Sequence, residues 1–150
     1  MSRVSIASPQ EVVPIDRGRM REIVRTVLDG ENEPQAEISL AFVDNATIHN
    51  LNKRYLQHDE PTDVLSFPLS EPGAARLSGE LVIGAEVALA QAHERGHDVQ
   101  AELALYVIHG LLHLCGYDDH AEADAGALRE RERHYLQQLG LPDISPRAGE

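Results

Sequence analysis

Val4-Ser5-Ile6 and the stretch 37–43 alternate apolar and polar side chains with the period of a half-buried strand. Between them the period lengthens. Met20, Ile23, Val24 and Val27 recur at helical spacing, Pro14 and Asp16 open that helix, and Asp29-Gly30 is placed to stop it near Leu28. Asp44 or Asn45 caps a second helix running to about Tyr55, with Ile48, Leu51 and Tyr55 along one side. A turn at Asp59-Glu60-Pro61 precedes a third strand over 64–67, which Pro68 ends. A loop over 70–78 leads to a fourth strand, 80–83, and from there the pattern is helical over about 86–95, 99–114 and 121–139, before a tail with prolines.

Strands crowd the first half and helices the second, which predicts an α+β fold: a small sheet of four strands packed with about five helices. The 99–114 helix is apolar on nearly all sides, so it is expected to be central and buried. No repeat, low-complexity stretch or long linker divides the chain, and 1–150 is read as a single domain. No apolar run approaches a membrane span and the first residues lack the apolar stretch of a secretion signal, so the expected location is cytoplasmic.

Charge and cysteine usage narrow the chemistry. A net charge of −12 argues against a protein that coats nucleic acid through a general basic surface, though a local basic cleft remains compatible with it. Cys115 is the only cysteine, which excludes an internal disulfide and a thiolate-rich metal site and leaves it best read as a small buried apolar residue. Any metal must then be held by imidazole and carboxylate.

The strongest motif lies in the apolar helix and just beyond it, from His109-Gly110-Leu111-Leu112-His113 to Gly116-Tyr117-Asp118-Asp119-His120. His109 and His113 are four residues apart, so on a helix both rings share one face and grip one cation. Gly116 stands where a left-handed turn would end the helix and bring Asp118, Asp119 and His120 back towards the pair. Asp119 followed by Glu122 has the spacing of a capping box, and an Asp occupied by capping is a poor ligand. That favours His120 over Asp119 as third ligand, with Asp118 as a supporting group or a base. Three ligands and one open position describe a catalytic zinc site.

Two rival readings stay in view. A metalloprotease helix would carry His-Glu-x-x-His, but the Glu position here is Gly110, which cannot take a proton. A non-catalytic protein with a structural zinc would normally use four protein ligands, often Cys. The remaining His49, His93, His97 and His134 lack metal spacing and are read as surface or capping groups, and the run 129–133 of alternating Arg and Glu as a solvated helix face.

The histidine segment resembles the YbeY family of rRNA-maturation endoribonucleases. That family's signature, His-Gly-x-Leu-His-Leu-x-Gly-Tyr-Asp-His, is matched from His109 through Asp118; a second family segment appears intact from Pro61 to Pro68, and Gly79 to Ile83 is similar to a third. The resemblance implies a mixed four-stranded sheet and one Zn2+ ion on His109, His113 and His120. It also implies hydrolysis of single-stranded rRNA in 16S rRNA 3′ end processing and ribosome quality control, with the ribosome or its proteins as partners. The family's third His directly follows Gly-Tyr-Asp, whereas here Asp119 intervenes. The Arg that commonly follows its Asn-x-x-Tyr is replaced by Leu56, so the positive charge is expected from Arg54 or His58. Thr62, Asp63 and Ser66 are candidates for the cleft wall, with turn and strand chemistry as their plain alternative role.

Overall fold

In the computed structural model, residues 2–56, 63–117 and 121–145 are described. The order is β1 (Arg3–Ala7), α1 (Arg17–Gly30), β2 (Glu37–Val43), α2 (Asn45–Leu56), β3 (Val64–Pro68), β4 (Ser78–Gly84), α3 (Ala85–Arg95), α4 (Val99–Leu114) and α5 (Glu122–Gln138). The sheet runs β1-β2-β4-β3. β1 and β4 both lie parallel to β2, and β3 is antiparallel to β4, so the expected mixed α+β sheet is present.

Strand alternation sorts the side chains onto two faces. Ile38, Leu40 and Phe42 of β2, with Leu81 and Ile83 of β4, pack beneath α1, α3, α4 and α5. Val43, Leu65 and Val82 point the other way and meet Ile48 of α2. The α1 start follows its sequence signal, since Asp16 Oδ1 accepts from the Arg19 backbone N–H at 3.0 Å. Its end does not. The helix continues through Gly30, where a Cβ would lie 2.7 Å from Tyr135 Cε1, so this glycine permits close packing against α5 rather than stopping the helix.

α4 is the buried helix its composition predicts, with Leu103, Leu105, Val107, Ile108, Leu111 and Leu112 all in the core. Each buried aliphatic side chain contributes about 1.5–3 kcal/mol. That anchors whatever α4 carries. Gly110 faces the sheet, and a Cβ there would lie 2.8 Å from Leu81 Cδ2 and 3.2 Å from Val64 Cγ2. Ser66 Oγ adds a bond to the Gly110 carbonyl at 3.4 Å. Among the described residues no helix is long and apolar enough to cross a membrane.

Candidate metal centre

α4 ends in a Schellman turn. Gly116, at φ 105°, donates its N–H to the His113 carbonyl at 3.0 Å, and the Tyr117 N–H reaches the Leu112 carbonyl at 3.0 Å. This is the left-handed return that the glycine predicts. Upstream, the run 101–112 is buried at every position except His109. The His109 and His113 rings meet edge to face with centroids 4.6 Å apart.

His109 is held by a residue that the sequence reading passed over. Its Nδ1 lies 2.7 Å from Oε2 of Glu132, a fully buried carboxylate on α5. Arg129 Nη1 donates to both oxygens of Glu132, at 2.9 and 3.0 Å, and Ser145 Oγ donates to Oε1 at 2.7 Å. Burial pushes the Glu132 carboxyl up, but the bonds to His109, Ser145 and Arg129 and the His109 charge outweigh it and hold it below the usual carboxylate range. A carboxylate only accepts, so Nδ1 of His109 carries a proton, and whenever the ring is neutral Nε2 is its lone-pair donor. Arg129 Nη1 also lies 3.5 Å from Nδ1, but both atoms are donors, so that approach is no hydrogen bond.

Two imidazoles one helical turn apart, one with its far nitrogen bound to a carboxylate, form a donor set that suits a zinc-type ion. Among the described residues no third His, Cys, Asp or Glu completes a group of three. The expected third ligand His120, its rival Asp119, the expected base Asp118, and His58 and Thr62 lie outside the described residues. The N-cap of α5 is Ala121, whose side chain makes no capping bond.

The other candidates fall elsewhere. Arg54 lies over the Tyr55 ring, 5.6 Å from its centroid, on α2 and so on the sheet layer opposite α4. Asp63 Oδ1 accepts from the Val64 N–H at 2.7 Å, a turn role. Cys115 packs against the core, and burial pushes its thiol up to about 12, helped by the charges of Glu31 and Glu33, as befits an inert apolar filler.

Two readings of the sequence need correction. The 129–133 run is no solvated face: Glu132 is buried, Arg129 binds it, and Arg131 binds Glu31 Oε2 at 2.6 Å. A signal was there, because Leu128, Glu132 and Leu136 recur every four residues on the buried side of α5. Nor is His97 a plain surface group, since its Nε2 pairs with Glu102, which is fully buried.

The layered sheet with a histidine-bearing helix at its centre is an α+β fold of a type already solved. The solution structure of TM1509 from Thermotoga maritima superposes with a TM-score of 0.67 at 24% identity, covering 98% of this chain and 99% of that one. Sequence takes the assignment further. Residues 5–140 match the family model described as Endoribonuclease YbeY. The Endoribonuclease YbeY of Carboxydothermus hydrogenoformans is 40% identical over 138 residues, which is 91% of this chain and 96% of that protein. The one from Pelotomaculum thermopropionicum is 38% identical over 148 residues, 92% and 97% of the two chains. The chain belongs to the endoribonuclease YbeY family.

Proposed function

We propose that this protein is a zinc-dependent, single-strand-specific endoribonuclease of the cytoplasm, acting in rRNA maturation at the 16S rRNA 3′ end and in ribosome quality control. Its family makes it an endoribonuclease, a hydrolase acting on RNA. The observation that carries the metal is the adjacent His109–His113 pair with His109 Nδ1 committed to a buried carboxylate. Nε2 of His109 and the His113 ring would hold the ion together with His120. When bound, zinc lowers the pKa of a water and polarises a phosphoryl oxygen.

The chain's own contribution is placement. α4 is fixed by its core contacts, so both imidazoles are held in position before any ligand arrives and little ordering cost remains. Asp118 is assigned the proton of the attacking water and His58 the charge that meets the phosphate, since Arg54 lies on the layer opposite α4. Single-stranded rRNA in the ribosome or its precursors is the partner. The peptidase alternative gains nothing from the fold, because position 110 faces Leu81 and Val64 on the sheet and has no room for a catalytic Glu.

The test is incubation of the metal-loaded and the chelator-treated protein with single-stranded RNA, duplex RNA and casein. Single-stranded RNA should be cut, chelation should stop cleavage, and added Zn2+ should restore it. Cleavage of casein, or RNA cleavage indifferent to chelator, would overturn the proposal.

A further inference from the structure

The tail after α5 is folded back by specific contacts. Gly140, at φ 72°, turns the chain, the Leu141 N–H reaches the Leu136 carbonyl at 2.8 Å, and Arg133 Nε lies 3.7 Å from Asp143. Arg19 Nη2 of α1 holds the Leu139 carbonyl at 2.8 Å. The result is that Ser145, only 4% exposed, delivers its hydroxyl to Glu132. Among the described residues, Glu132 therefore has three partners on two oxygens: His109 on Oε2, Ser145 on Oε1 and Arg129 on both.

We propose that Glu132, clamped by Arg129 and Ser145, is a positioning residue that holds the proton of His109 on Nδ1 and so keeps Nε2 bare for the metal. A neutral imidazole has one N–H and can place it on either nitrogen. Only the form with Nε2 free can ligate from that atom. A carboxylate at 2.7 Å from Nδ1 selects that form and fixes the ring plane. Arg129 and Ser145 stop the carboxylate from rotating away, because any turn of Glu132 breaks bonds on both oxygens. The tail up to Ser145 thus belongs to the working parts of the site. The tautomer assignment stands on its own geometry, whereas its consequence for metal rests on the proposed zinc site.

The experiment reads the two separately. In the metal-free protein, nitrogen-15 NMR of the histidine rings reports which nitrogen of His109 is protonated, with His109→Gln used to assign its signals. Zn2+ affinity is then measured by competition with a chromophoric chelator, and circular dichroism monitors the fold. Wild type should show His109 protonated on Nδ1. Glu132→Ala should mix the tautomers and weaken Zn2+ binding by about 10–100-fold. Glu132→Gln, which keeps an oxygen acceptor, should restore much of the Nδ1–H form. Ser145→Ala should shift both readouts in the same direction but less, and it keeps the test decisive if Glu132→Ala fails to fold. A wild-type His109 protonated on Nε2, or Zn2+ affinity unchanged in Ser145→Ala and in any Glu132→Ala that folds, would overturn the proposal. A wild type with the Nδ1–H form that binds no Zn2+ would instead overturn the zinc reading and leave the tautomer assignment standing.

Discussion

The two halves of α4 each bring a buried carboxylate together with a histidine and an arginine. In the first half, Glu102 pairs through Oε1 with His97 and, at 3.7 Å, with Arg95. In the second, His109 meets Glu132 with Arg129. Both carboxylates are fully buried and both imidazoles mostly so, yet the clusters differ in two respects. Glu102 leaves Oε2 without a hydrogen-bond partner among the described residues, whereas both oxygens of Glu132 are engaged. Next to Glu102 stands Tyr106, whose phenol is pushed up by burial and then by the neighbouring carboxylate; next to His109 stands a second imidazole. A carboxylate–histidine–arginine cluster alone is a way of burying charge. A second ring one turn further on makes it a place for a cation.

The largest break in this comparison comes from the imidazoles. His113→Ala should abolish Zn2+ binding and drop RNA cleavage to background, while His97→Ala should keep both and lose only thermal stability. Equal loss from the two variants would erase the distinction. Packing tests the platform under the histidine half. Gly110→Ala forces a methyl against Leu81, itself fully buried, and should cost about 1–3 kcal/mol in denaturant unfolding. Gly126→Ala on α5, with open space around it, should instead stabilise by about 1 kcal/mol from helix propensity. A matching sign for the two glycines would refute the close contact.

The smallest effect concerns a third carboxylate, without a histidine. Burial raises the Glu31 carboxyl, but bonds from Tyr135, Arg131 and Tyr117, with the Arg131 charge, outweigh it and hold it below 4.5. A depressed carboxylate stabilises the fold above its unfolded value and loses that contribution as pH falls through 4.5 and below. Wild type should therefore exceed Glu31→Gln in stability at pH 7, with the gap closing in acid. A gap that stays constant down to low pH would show that Glu31 acts through packing alone.

The elements and the histidine pair were legible because their signals are local. Periodicity places β2, α1 and α4, and four-residue spacing puts His109 and His113 on one face whatever the helix packs against. Gly116 likewise acts on its own turn. Two misread residues owe their roles to distant partners, Gly30 to Tyr135 and Glu132 to His109, 23 positions earlier, while His97 meets a Glu five positions on that the fold of α4 buries. The alternating charges of 129–133 look solvated until α5 is laid on α4, when one Glu turns inward and its neighbours brace it. Composition, helix phase and motif spacing thus determined the frame and the two rings, since backbone geometry converts spacing into direction. Only the tertiary structure decided which nitrogen of His109 faces outward, because that depends on a carboxylate whose cost of burial is offset when two helices and the returning tail meet.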